Sequence, residues 1–145
     1  AFSIFIFNSQ NQLLLQQRAL NKYHSAGLWT NTCCSHPRVN ETLIDAANRR
    51  LYEEMGMRCE MKKEFDFIYN AKMPNNLIEH EFDHVLFGNS DEVPNINKDE
   101  VAAYRYMPLK DIQKEINTNS NKYTEWFKIC FNEVIIRVNN RNNDK

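Results

Sequence analysis

The stretch from Trp29 to Met57 decides the reading of this chain: WTNTCCSHP over residues 29–37, a short polar link, then ETLIDAANRRLYEEMGM over 41–57. The first part sets Cys34 two residues before His36, beside the turn-forming Pro37. The second part has the pattern of a helix from about Glu41 to Met55. Ile44, Ala47, Leu51 and Met55 recur at helical spacing, and Gly56 supplies the stop. Each helical residue advances about 100°. Arg50 and Glu54 therefore lie side by side at the edge of the apolar stripe, where they can line a site. Asp45, Arg49 and Glu53 fall opposite, as a solvated i,i+4 network. A thiol, an imidazole and helical carboxylates this close in sequence suggest a site.

Working outward, the element types alternate. Residues 2–7 read as a strand covered on both faces, and LLLQQRAL follows NSQNQ turn chemistry as its hairpin partner. ALNKYHSAG reads as a loop. FDFIYNAKM, EHEFDHVLF and VAAYRYMPL are further strands, with a short helix over Asp111–Ile116 after Pro108. TEWFKICFNEVIIRV is an amphipathic helix carrying Trp126, Phe127, Cys130, Val134 and Val138 on one side. Residues 139–145, NNRNNDK, have nothing to bury and read as a disordered polar tail. The expected class is α/β (α+β), a largely mixed sheet packed against helices, as one domain over 1–138.

Composition bounds the function. The 145 residues are enough for one domain with a proper core. A formal net charge of -1 gives no global basic field for nucleic acid or an anionic membrane. The apolar runs are too short to span a bilayer as helices, and AFSIFIF lacks the basic flank of a signal peptide. Cys33, Cys34, Cys59 and Cys130 form no C-x-x-C pair and no disulfide framework, which favours a reducing, cytoplasmic setting. An organelle stays open if a targeting segment was removed. Cys59 and Cys130 read as small buried hydrophobes.

A second cluster lies far along the chain. In a strand, residues two apart share a face, so Glu79, Glu81 and Asp83 point one way and His80, Phe82 and His84 the other. Two carboxylates with a loop imidazole begin a metal site of N and O donors.

The helix spacing also matches the Nudix box, G-x5-E-x7-R-E-U-x-E-E-x-G-U, with Glu41, Arg49, Leu51, Glu53, Glu54, Gly56 and Met57 in place. It departs at Ser35, which stands at the opening Gly, and at Arg50, which stands at a Glu. A guanidinium there removes a metal ligand and adds a phosphate ligand, so the helix reads as a diphosphate holder rather than a cutter. With LLLQQRALNK, GLWTNTCCSHP, DAANRRLYEEMGM, EHEFDHVLFG, DEVAAYRYM and YTEWFKI, the chain resembles the type 1 isopentenyl-diphosphate isomerases of the Nudix superfamily from Ala1 to about Ile129. Ala26 departs from a proline common in that family before Gly-Leu-Trp.

The resemblance implies a Nudix-like mixed β-sheet sandwiched between helices. It implies that the enzyme interconverts isopentenyl and dimethylallyl diphosphate through a carbocation. Such chemistry needs an acid, a base across the double bond, a dry pocket and a group that faces positive charge. By motif, Cys34 and Glu81 with Tyr69 are the proton-transfer groups, and their order depends on direction. Trp126 is the aromatic facing the cation. Arg18, Lys22 and Arg50 bind the diphosphate. His36, Glu79 and Glu81 ligate a divalent metal (Mg2+, Mn2+ or Zn2+), and Glu54 helps hold a Mg2+ on the diphosphate. Two further family histidines and a phosphate-binding lysine lie upstream of the AFS strand. The chain is therefore read as truncated, and as given it is expected to bind metal weakly and turn over poorly. The partner is a small-molecule diphosphate, with no nucleic acid or membrane and a monomer favoured. The alternatives are a Nudix diphosphohydrolase, a non-catalytic Nudix-fold binding module and, weakly, a cysteine hydrolase.

Overall fold

A computed structural model describes the backbone of residues 1–72 and 78–143, and side chains outside 71–81 and 143. Seven strands form one sheet: β1 (Phe2–Phe7), β2 (Gln12–Arg18), β3 (Trp29–Thr30), β4 (Cys33–Ser35), β5 (Met61–Lys72), β6 (Ile78–Asn89) and β7 (Val101–Pro108). The path runs β3-β2-β1-β6-β5, with β4 also paired to β1 and β7 to β2. β1 and β6 are parallel and the other pairs antiparallel, so the sheet is mixed.

Alternation along β1 builds two cores. Phe5 and Phe7 enter one cluster, with Leu13, Leu15, Val85 and Phe87 and the buried stripe of α3 (Glu125–Asn143). Phe2, Ile4 and Ile6 enter the other, with Leu14, Leu86 and Ala46, Ala47, Leu51 and Met55 of α1 (Leu43–Met55). The expected two-sided burial of the first strand follows from this sandwich. α2 (Leu109–Thr118) adds Ile112 to the α3 side. Trp126, Phe127, Cys130, Val134 and Val138 of α3 are all buried, as their spacing predicts.

α1 is bounded by its sequence. Thr42 accepts a hydrogen bond from the Asp45 amide at 3.1 Å, a cap worth roughly 1 kcal/mol. Gly56 closes the helix at φ 62, its N–H bonded to the Tyr52 carbonyl. A side chain there would collide with the Asn95 backbone oxygen, so glycine is required twice over.

Four features differ from the sequence reading. Ile44 is exposed, because it lies in the first turn of α1, and Ala46 takes its place in the buried stripe. Glu54 sits within that stripe rather than at its edge, at 4 % exposure. α3 continues to Asn143, past the Val138 end that the pattern gave. Arg141 covers the Phe87 ring at 5.9 Å and its Nη2 donates to Asn89 Oδ1, which supports the extra turn. The two- and three-residue strands β3 and β4 are additions to what periodicity indicated.

Candidate active site

β4 positions the thiol. Its short antiparallel pairing sets Cys33 opposite Ile4 and Cys34 opposite Ser3, so the adjacent cysteines face opposite sides of the sheet. Cys33 is sealed in the α1-side core, while Cys34 packs on the α3 side at the floor of a pocket. The cavity is about 180 Å3 and is lined by Arg18, Lys22, Cys34, His36, Arg50, Glu54, Tyr69 and Trp126, among others. Eight of the ten residues singled out from sequence thus converge on one hollow, although they span positions 18 to 126. The side chains of Glu79 and Glu81 lie outside the described residues. The backbone register places Glu81 opposite Tyr69 and Glu79 opposite Ala71.

The thiol end is a network of fixed hydrogen bonds. Asn31 is wholly buried, and its amide nitrogen donates to the carbonyls of Ile4 and Cys33, both at 3.0 Å. That orientation leaves Asn31 Oδ1 as an acceptor for the Cys34 thiol at 3.0 Å and for Trp126 Nε1 at 3.3 Å. Trp126 Nε1 also donates to Cys34 Sγ at 2.9 Å. Ser3 Oγ lies 3.7 Å from the sulfur and donates to Asp83 Oδ2 at 2.9 Å. Burial first, and then the nearby Asp83 carboxylate, push the Cys34 thiol up to about 12. At neutral pH the group is a thiol. Burial raises Cys33 and Cys130 as well, in keeping with inert core cysteines.

The other end is ionic. Arg50 reaches Ser35 Oγ at 3.1 Å and Glu53 Oε1 at 3.0 Å, and it pairs with Glu54. Glu54 also accepts from Gln16 Nε2 at 2.9 Å, so its burial is offset by a guanidinium and an amide. Lys22 pairs with Glu100. Arg18 donates from Nη2 to the His24 carbonyl at 3.2 Å, and its guanidinium lies 5.4 Å from the Trp126 ring centre. Its Nε is buried without a hydrogen-bond partner among the described residues. Arg18 therefore keeps donor capacity that Arg50 has already committed.

On the outer side of α1, Arg49 bridges Glu41 at 2.8 Å and Glu53 at 2.8 Å. Its hydrogen bonds hold the Glu41 carboxyl down to about 2. This is the expected network, with Glu41 in place of Asp45, whose amide serves the Thr42 cap.

His36 is exposed on the rim. Among the described residues, no three His, Cys, Asp or Glu side chains converge as a metal-binding group. His36 supplies one imidazole, and both Glu54 oxygens are engaged by protein donors. The described donors alone do not make a complete set. Sequence reasoning gave no role to Ser3, Asn31, Gln16 or Glu100. Asn31 carried a signal, standing three residues before Cys34, whereas the others are joined to the site only by the fold.

The NUDIX domain family matches residues 1–127. Isopentenyl-diphosphate Delta-isomerase 2 of Photorhabdus laumondii is 56% identical over 132 residues, 91% of this chain and 75% of its own length. Isopentenyl-diphosphate Delta-isomerase 2 of Aromatoleum aromaticum is 51% identical over 93% of this chain and 71% of its own. Among solved structures, a MutT protein from Methanosarcina mazei Go1 superimposes with a TM-score of 0.75 at 18% identity, covering 99% of this chain and 94% of that one. The E. coli dihydroneopterin triphosphate pyrophosphohydrolase gives 0.69 at 11% identity, over 93% of each chain. At such identities the superpositions carry the fold alone, and the sequence matches carry the branch. The chain belongs to the Nudix family and, within it, to the isopentenyl-diphosphate Delta-isomerases.

Proposed function

We propose that this protein interconverts isopentenyl diphosphate and dimethylallyl diphosphate, shifting a carbon–carbon double bond for isoprenoid biosynthesis. The observation that carries the reading is the shared pocket: a protonated thiol and an indole at one end, three basic residues at the other. The relatives' names point to isopentenyl diphosphate and to an isomerase.

The reaction adds a proton at one carbon and removes one from another, with no net change in protons. Cys34 holds a proton at Sγ on one side of the pocket, and Glu81 with Tyr69 serves the other side. Tyr69 lines the pocket and faces Glu81 across β5 and β6 in register. The reverse direction exchanges their roles. The intermediate carbocation is stabilised by the Trp126 ring, which already tolerates the Arg18 guanidinium nearby. Cys34 itself is partly buried against the apolar cluster on the α3 side, which limits water at the end of the pocket where the cation would form.

Arg18, Lys22 and Arg50 bind the diphosphate. The substitution of Arg50 at the box position disfavours the diphosphohydrolase alternative, because a guanidinium replaces a metal-binding carboxylate there. His36, Glu79 and Glu81 are assigned to a divalent cation, with Glu54 toward a Mg2+ on the diphosphate. Imidazole and carboxylate donors suit Mg2+, Mn2+ or Zn2+. Such an ion would supply charge neutralisation and hold carboxylates in place. The four cysteines are free, which supports the cytoplasm as location. No helix of the described residues is long and apolar enough to cross a membrane.

Incubation with isopentenyl diphosphate and Mg2+ tests this. Dimethylallyl diphosphate should accumulate to an equilibrium mixture without phosphate release. Phosphate release with no isomer formed would instead establish a hydrolase.

A further inference from the structure

Two of the three basic residues assigned to the diphosphate are already held by an acid. Glu100 lies one residue before β7, and its Oε2 pairs with Lys22 Nζ and stands 3.6 Å from Arg50 Nη2. Its carbonyl accepts the Ala19 amide at 3.1 Å, which fastens the same residue to the start of the loop carrying Lys22. Glu100 lines a neighbouring cleft together with Arg50, Glu53 and Asn97, whereas Lys22 and Arg50 line the main pocket.

Formal charges around the site nearly cancel. Among the described side chains, Arg18, Lys22 and Arg50 stand against Glu53, Glu54, Asp83 and Glu100. A pocket so compensated attracts a bare diphosphate weakly until one carboxylate gives way. Glu54 and Asp83 are buried at 4 % and 3 % exposure, and each is engaged in hydrogen bonds within the core. Glu53 and Glu100 are partly exposed, but Glu53 is also held by Arg49, whereas Glu100 faces only Lys22 and Arg50 among the ion pairs of the described residues. Lys22 is exposed to a similar degree. Such a pair contributes little stability and exchanges readily for a stronger anion.

We propose that Glu100 is an exchangeable counterion of the diphosphate site. It satisfies Lys22 and Arg50 in the free protein and yields them to the incoming phosphate oxygens. It thereby sets how tightly diphosphates bind and eases product release. This rests on the reading that the pocket takes a diphosphate.

Inorganic diphosphate is titrated calorimetrically into the full chain in EDTA-containing buffer. Glu100→Gln keeps the shape and removes the charge, and is expected to bind about tenfold more tightly than the unaltered protein. Glu100→Asp, which withdraws the carboxylate from both cations, should shift affinity in the same direction by less. Lys22→Ala should cost more affinity in the Glu100→Gln background than alone, since Lys22 then has no competing partner. Equal or weaker binding by both Glu100 variants overturns the counterion role while leaving the diphosphate reading intact. No binding of diphosphate by any of the proteins overturns both.

Discussion

The two ends of the pocket are held by different kinds of interaction. At the thiol end, Ser3, Asn31, Cys34, Asp83 and Trp126 are linked by a network of buried and part-buried hydrogen bonds. At the ionic end, Lys22, Arg50 and Glu100 are linked by charge pairs that retain access to solvent. Fixed hydrogen bonds in a dry setting define where a proton sits, as proton transfer to carbon demands. Exchangeable ion pairs let a charged group enter and leave. The difference assigns chemistry to one end and binding to the other, and substitutions at the two ends should therefore move different kinetic constants.

The largest effect is expected at the thiol. Cys34→Ala should lower kcat by about a thousandfold or more with little change in KM, by loss of a proton-transfer group. Cys33→Ala, one residue away on the opposite face, should keep kcat and cost only about 1–2 kcal/mol of stability in denaturant unfolding. Equal losses of kcat from both would erase the distinction between the two faces of β4.

Arg18→Ala comes next, with KM raised by about ten- to a hundredfold and kcat largely kept, since a charge-assisted phosphate contact is worth about 1.5–3 kcal/mol. A fall in kcat at unchanged KM would move Arg18 from the binding end to the chemical end. Trp126→Phe keeps a ring and removes the Nε1 donor from Cys34 and Asn31. A loss of about tenfold in kcat is expected, the value of one buried hydrogen bond. Steady-state kinetics showing no change would mean that the indole N–H does not help fix the thiol.

Outside the pocket the effects fall on stability alone. Gly56→Ala should destabilise by about 1–3 kcal/mol through its left-handed backbone and the Asn95 collision, read as a lower thermal midpoint. The smallest effect belongs to Glu41 on the outer side of α1. Its folded carboxyl is held down to about 2 from an ordinary 4.5 by Arg49. A depressed carboxyl stabilises the fold above its unfolded value and loses that contribution as pH falls from about 4.5 toward 2. Glu41→Gln should flatten the melting temperature across that window and leave activity at neutral pH unchanged.

The box helix was legible because its period, its threonine cap and its glycine stop all lie within fifteen neighbouring positions. The burial of Glu54 was not. The spacing placed it at the stripe's edge, and the amide of Gln16 from β2, added to the Arg50 guanidinium, makes a deeper position tolerable. β3 and β4 are too short to show any period, yet β4 separates Cys33 from Cys34. The family pattern indicated Cys34, and the strand gives the physical reason. Ser3 and Asp83 meet Cys34 through sheet pairing between distant segments, which composition and periodicity cannot convey. Glu100 was part of a quoted motif, but its contact with Lys22 depends on a separation of 78 residues.

Reversible proton transfer at carbon, with Cys34 as one of its two groups, is tested most directly by NMR of isopentenyl diphosphate incubated with the full-length protein and Mg2+ in D2O. The unaltered protein should place deuterium in both isomers and release no phosphate, and Cys34→Ala should abolish incorporation. Deuterium entering both isomers at an undiminished rate with Cys34→Ala would contradict the account.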